Sequence, residues 1–275
     1  MMKKEDVPML ENVMDRFRLD SKKAFVTGAA GTIGSKTAEA LAMAGADVAI
    51  VDHPVMRDKA QAVADAIAEK WKVNTMAVCC DVTDPDQVQQ MIDTICEQFG
   101  TIDIVHNNAG ITNVSAQDVD SDPARWHKVI DVNLFGVYVI ARAAAQRMIK
   151  DGHGGSIINT ASMSATIANR PYPGTPQSGS AYCASKAGVL LFTKSFALQV
   201  IRHGIRVNCI SPGYIPSNLH VGMPQTSFDN MVMTTPIGRT AIPEELQGAI
   251  VFLASDASSF CVGTDLIIDG GHTCW

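Results

Sequence analysis

Along the chain, short apolar runs alternate with longer stretches in which apolar positions recur every three or four residues. KAFVTG (23–28) is a β-branched run closed by glycine. TIGSKTAEALAMAGA (32–46) follows with helical spacing and ends near Gly45. DVAIVD (47–52) predicts a second strand and RDKAQAVADAIAEKW (57–71) a second helix. NTMAVCCDV (74–82) predicts a third strand. DPDQVQQMIDTICEQFG (84–100) reads as a helix with Asp84 as N-cap, Pro85 in its first position and Gly100 as its stop. IDIVHNNAG (102–110), GSIINTAS (155–162), IRVNCISPG (205–213) and DLIIDGG (265–271) predict four more strands. Further helices are predicted over 123–150, around 178–189 and over 243–255.

Strands that are apolar throughout and alternate with helices imply a parallel sheet covered on both faces. The expected fold is α/β: one Rossmann-like, doubly wound parallel sheet of about seven strands with helices on both faces. An N-terminal arm (1–20) precedes a single domain (21–275), since no repeat or low-complexity linker marks a boundary. The segment 213–239 is Pro- and Met-bearing and reads as irregular; a lid is expected over about 213–242. In such sheets ligands bind beyond the carboxyl ends of the strands, where most of the unusual residues of this chain fall.

Composition changes this picture little. The chain has 275 residues, 47% of them hydrophobic and 18% charged, as expected of a globular protein with a generous interior. A net charge of −6 without runs of like charge argues against a nucleic-acid partner. The seven cysteines form no C-x-x-C pair and read as reduced thiols of a cytoplasmic protein. The opening residues lack the apolar stretch of a signal peptide, and no run approaches the roughly 18 apolar residues of a membrane span, so no membrane partner is expected. The scattered histidines suggest no metal.

The candidate chemistry begins at VTGAAGTIG (26–34). Gly28, Gly31 and Gly34 allow a tight turn whose backbone N–H groups approach a diphosphate at a helix N-terminus. Asp52 ends the second strand and is placed to accept from an adenosine ribose. A 2′-phosphate there meets like charge, so NAD is expected and NADP less so. Asp81 is placed to accept from an adenine amino group. Asn107 and Asn108 end the fourth strand, with turn chemistry as the alternative reading. Tyr182 and Lys186 lie four residues apart and share a helix face. A cation beside a phenol favours phenolate and suits acid–base work. Ser162 ends the fifth strand, and Asn133 sits inside an otherwise apolar helix, where its amide must find partners. A purely structural Asn133, bonded to backbone, is the alternative.

In chain order, TGAAGTIG, DV (81–82), NNAG (107–110), VN (132–133), TASMS (160–164), YCASK (182–186), SPGYI (211–215) and IDGG (268–271) resemble the short-chain dehydrogenase/reductase family over about 22–271. The resemblance implies a catalytic tetrad of Asn133, Ser162, Tyr182 and Lys186. Tyr182 is then the general acid/base and Ser162 orients the substrate oxygen. Lys186 lowers the tyrosine pKa and holds the nicotinamide ribose, and Asn133 positions a water. It implies cofactor contacts from Gly28, Gly31, Thr32, Ile33, Gly34, Asp52, Asp81, Val82, Asn108, Ala109, Gly110, Tyr182, Lys186, Pro212, Gly213, Ile215 and Ser217. Ser164, Arg170, Tyr172 and His220 are candidate substrate contacts. Met223, Phe228, Met231 and Met233 either line an apolar pocket or pack the lid against the body.

Two departures stand out. Thr32 occupies the middle glycine position of the short-form pattern, with Gly31 one residue earlier. Residues 168–179 add a Pro/Gly-rich loop between Ser162 and Tyr182. The SMSATIANRPYP stretch is similar to polyol dehydrogenases and ketose reductases. The expected activity is therefore NAD-dependent interconversion of a secondary alcohol and a ketone, nearest to a polyol/ketose pair. The alternatives are a hydroxysteroid dehydrogenase, then a 3-oxoacyl reductase, and outside enzymes a dinucleotide-sensing protein. The family commonly forms dimers and tetramers, so a homo-oligomer is expected, with homotetramer first. The 139–149 stretch and the 187–200 face suit such a surface or an ordinary core.

Overall fold

Seven strands build one sheet, all paired in parallel: β1 (Lys23–Thr27), β2 (Asp47–Asp52), β3 (Thr75–Cys79), β4 (Ile104–Asn107), β5 (Gly155–Thr160), β6 (Ile205–Pro212) and β7 (Asp265–Ile268). The computed structural model describes residues 12–112, 122–168, 179–217 and 225–274. The sheet order is β3-β2-β1-β4-β5-β6-β7. The chain winds outward from β1 in one direction and from β4 in the other, so the switch point lies between β1 and β4. A crevice opens there beyond the strand ends.

The helices are α1 (Thr32–Met43), α2 (Arg57–Trp71), α3 (Pro85–Phe99), α4 (Pro123–Ile130), α5 (Gly136–Asp151), α6 (Ser180–Val200), α7 (Gln225–Thr234) and α8 (Gln247–Ala254). Alternate strand residues feed two cores. One face packs Val26, Ile50, Ile104 and Ile158 against Leu41, Ala60 and Leu253 of α1, α2 and α8. The other packs Phe25, Val105 and Ile157 against Ile92, Ile140 and Ala197 of α3, α5 and α6. Both faces of the central strands are dry, which is why those strands read as continuous apolar runs.

Several elements differ from their sequence patterns. β2 ends where predicted and β1 and β6 one residue earlier, whereas β3, β4, β5 and β7 stop two or three residues short, and the Asn, Ser and Gly residues beyond β4 and β5 form the crevice rim. The long helix of 123–150 is broken by a π-helical turn at Asp131–Phe135. The stretch Pro123–Asp151 is long and apolar enough to cross a membrane (mean hydropathy 1.3), but 56% of its apolar portion is buried within the protein, as in a core helix. Ala141, Ala143, Ala144 and Ala145 belong to that core, so the alanine-rich stretch is interior rather than surface. The segment 213–239, expected to be irregular, contains α7. Only Ser227 of α7 is buried, so it presents no apolar stripe to read. Within the expected arm, most of residues 12–20 are exposed and Phe17 and Leu19 touch the domain. Leu19 is buried with its N–H donating to Ala44 O, and Phe17 lies 6.3 Å from Phe252, ring centre to ring centre.

Candidate active site

The turn from β1 into α1 is shaped by what it leaves out. Gly28 has φ +63°, and a Cβ there would stand 2.9 Å from Ala109 Cα. A Cβ on Gly34 would stand 2.2 Å from Gly28 O, so neither position admits a side chain without movement of the backbone. Gly31 is the N-cap of α1 and gives no side-chain cap, so the first-turn N–H groups are left for an anion. Asn108 holds this turn in place. Its amide donates to Thr27 O (3.1 Å) and Gly28 O (3.3 Å), while Thr27 Oγ1 accepts from the N–H groups of Asn108 (3.0 Å) and Ala109 (3.1 Å). Asn107 faces the other side of β4 and donates to Asn159 Oδ1 at 2.9 Å. Both amides therefore brace strand ends.

Asp52 and Asp81 stand further along the rim. Asp52 Oδ2 accepts from Ala30 N–H and Oδ1 from His53 N–H, each at 2.8 Å, which ties the acid to the glycine turn itself. Asp81 Oδ1 accepts from the Thr83 N–H (2.9 Å) and hydroxyl (2.7 Å), and Oδ2 lies 3.9 Å from His53 Nε2. Between them runs a cleft of about 870 Å³. Its walls include Gly28, Gly31, Thr32, Ile33, Gly34, Asp52, Asp81, Val82, Asn108, Ala109, Gly110 and Ser217. A turn that excludes side chains at Gly28 and Gly34, a helix N-terminus without a side-chain cap and a carboxylate at the neighbouring strand end fit a dinucleotide. Pro212, Gly213 and Ile215 lie off this wall. Ile215 is buried in the core beside α8, and Gly213 N–H donates to Ile268 O. Val55, Met56, His127 and Lys128 also line the cleft, although no motif singles them out.

The tetrad converges where the cleft reaches Gly110 and Ile111. A Cβ added to Gly110 would lie 3.4 Å from Asn133 Oδ1 and 3.6 Å from Lys186 Nζ. The buried Asn133 sits in the π-helical turn with its amide closed on one backbone unit. Oδ1 accepts from Ile111 N–H and Nδ2 donates to Ile111 O, each at 2.8 Å; Nδ2 also donates to Ser185 Oγ at 3.2 Å. Ser162 caps a short 3₁₀ turn, accepts from Ser164 N–H at 3.1 Å, and hydrogen-bonds the Tyr182 phenol. Tyr182 and Lys186 stand one turn apart on α6, Nζ 5.7 Å from the ring centre. Lys186 is 3% exposed and donates to Thr160 O at 2.7 Å.

Burial dominates the electrostatics. It pushes the Tyr182 phenol above its ordinary value, with the Ser162 hydrogen bond acting in the opposite direction. It pushes the Lys186 ammonium down to about 8. Burial thus acts against the lowering of the phenol that the Lys186 charge one helical turn away would favour.

Among the expected substrate contacts, Ser164 is 4% exposed and bonded to Ser162. Arg170, Tyr172, His220 and Met223 lie outside the described residues, as does most of the 168–179 loop. Phe228 and Met231 are half-buried on α7. Met233 is 70% exposed, so it neither lines a pocket nor packs α7 against the body. Among the described residues no group of three or more His, Cys, Asp or Glu side chains is arranged to hold a metal.

A family model described as enoyl-(acyl carrier protein) reductase matches residues 28–273. A sorbose reductase of Candida albicans is 40% identical over 264 residues, covering 96% of this chain and 91% of its own. An NADP-dependent mannitol dehydrogenase of Alternaria alternata is 37% identical over 268 residues, covering 97% of each. The crystal structure of a short-chain type dehydrogenase/reductase from Mycobacterium marinum superposes with a TM-score of 0.87 at 43% identity, covering 96% of this chain and all of that one.

Proposed function

The chain belongs to the short-chain dehydrogenase/reductase family and is a nicotinamide-dinucleotide-dependent oxidoreductase; on that premise we propose that it interconverts a polyol and its ketose, with NAD as cofactor and Tyr182 as acid/base. The observation that carries the reading is the convergence of Asn133, Ser162, Tyr182 and Lys186 at the end of the dinucleotide cleft. Gly28, Gly34 and the α1 N-terminus would hold the diphosphate, and Asp52 the adenosine ribose. Held there, the dinucleotide would supply the hydride for reduction of the substrate carbonyl carbon, or the acceptor for hydride in the reverse direction.

The protein groups handle the proton. In reduction Tyr182 donates its phenolic proton to the carbonyl oxygen; in oxidation it takes the hydroxyl proton back. Its raised pKa keeps the acid form ready at neutral pH, so reduction runs there and oxidation accelerates toward alkaline pH. Ser162 offers a hydroxyl to the same oxygen and fixes the substrate beside the phenol. Lys186 holds a positive charge one helical turn away, braced by Thr160 O. That charge stabilises the phenolate once the Tyr182 proton has left, which is the state oxidation requires.

Two features support the finer reading. Relatives over nearly the whole length are named for sorbose and mannitol. Asp52 supports NAD, while the relatives named for NADP supply the competing arm of the test. Purified protein is assayed at 340 nm with NAD and with NADP against sugar alcohols and ketoses, simple secondary alcohols and hydroxysteroids. Turnover confined to polyols or ketoses with NAD supports the reading. Turnover of hydroxysteroids alone, or dinucleotide binding without any turnover, overturns the substrate class or the enzyme assignment.

A further inference from the structure

His106 occupies an interior position of β4, where its same-face neighbours on paired strands are Val26 and Ile158. An aliphatic side chain would satisfy that position; a buried imidazole is costly unless both nitrogens are bonded. Both are. His106 Nδ1 lies 3.0 Å from Thr37 Oγ1 on α1, and Nε2 lies 2.9 Å from Thr160 Oγ1 at the end of β5. The Thr37 hydroxyl spends its one hydrogen on Gly34 O at 3.1 Å. The bonding pattern therefore assigns the proton to Nδ1, donating to Thr37, and leaves Nε2 to accept from Thr160.

This chain links the two ends of the site. Thr160 directs its hydroxyl to His106 on the α1 face of the sheet. Its carbonyl, at the strand end, accepts from Lys186 arriving on α6 from the opposite face. At the far end, Gly34 lies in the first turn of α1 against Gly28 O, where no side chain fits. We propose that His106 is a positioning residue that sets Lys186 at a fixed distance from the dinucleotide-binding turn, through Thr160 on one side and through Thr37 and Gly34 on the other. The proposal rests on the reading above, in which Lys186 and the glycine turn serve one dinucleotide. Burial and the facing Lys186 charge push the imidazole down to about 3, so it is neutral throughout the working range and acts as a fixed spacer.

The two arms are separable by substitution. His106→Leu removes both, His106→Gln retains reach toward Thr160, and His106→Asn retains reach toward Thr37. Affinity for NAD and NADP is measured by titration calorimetry, kcat with the best substrate of the panel, and Tm alongside. The leucine variant should lose about tenfold in dinucleotide affinity and about tenfold in kcat, as expected of a small misplacement. The asparagine variant should recover affinity while kcat stays low, and the glutamine variant should recover kcat while affinity stays low. A merely structural role would move all readouts with Tm and show no such split. Wild-type affinity and kcat in the leucine variant, or equal losses in the asparagine and glutamine variants, overturn the proposal. Should the leucine variant not fold, the Asn/Gln pair decides alone. Wild-type protein that binds neither dinucleotide overturns the site reading itself, and the proposal with it.

Discussion

Lys186 carries two opposite demands. Its ammonium is what donates to Thr160 O, yet burial disfavours that charge and brings the pKa from 10.5 to about 8. The unfolded chain thus binds more protons than the folded one between pH 8 and 10.5. Stability contributed at this residue is lowest below pH 8 and rises as pH climbs toward 10.5, by about 3 kcal/mol in all. Urea denaturation of wild type and Lys186→Met across that window should show the gap closing in this sense. Asn133 makes a second residue-scale prediction. Asn133→Ala orphans both polar groups of the Ile111 backbone and should cost about 2 kcal/mol in urea denaturation. Neither partner was legible in the sequence. That Asn133 needed partners was clear from an amide in an apolar helix; that they lie 22 residues upstream in backbone was not, because main-chain partners leave no residue signature. His106 does leave one, a lone polar residue in the apolar run IDIVH, but a single polar position says nothing of its partners Thr37 and Thr160.

Among the elements, strands with two dry faces and helices with one apolar stripe were legible, and elements with neither were not. β1, β2, β4 and β5 read as strands because both of their faces are buried. α7 escaped because its exposed, polar surface carries no stripe, and the π-helical turn at Asp131–Phe135 escaped because five more helical residues look like helix. The β1–α1 turn was legible for the opposite reason: its glycines answer a steric demand that holds in any sequence. Gly34→Ala tests that demand. With a Cβ 2.2 Å from Gly28 O the turn must shift, and dinucleotide affinity should fall at least tenfold, about 1.4 kcal/mol. Unchanged affinity by calorimetry would show that this turn is not the diphosphate cradle.

At the scale of the whole molecule, the parallel, doubly wound sheet followed from strand–helix alternation, whereas the strand order and the place of the switch point did not, and the cofactor choice and the assembly state rest on local surface. Asp52 spends its carboxylate on Ala30 and His53 N–H groups, so it shapes the turn as well as its charge field. Asp52→Ser should raise the NADP-to-NAD ratio of kcat/KM at least tenfold and lower Tm by a few degrees as those bonds weaken. An unchanged ratio would remove Asp52 from cofactor selection. Phe135 and Tyr138, with Leu191 and Leu198 on α6, leave large apolar surface exposed. We expect light scattering to give a dimer or tetramer, and a monomer at micromolar concentration would contradict that.

The account as a whole turns on Tyr182 as the group that moves the proton, and Tyr182→Phe isolates that step. The measurement is kcat of the variant on the best substrate of the panel, taken together with its dinucleotide affinity. The account predicts a fall in kcat of about 10³-fold, within the usual range for loss of a general acid/base, with affinity for the dinucleotide within about twofold of wild type. A variant that retains more than a tenth of the wild-type kcat would contradict it, and the proton would then have to be handled by another group at the site.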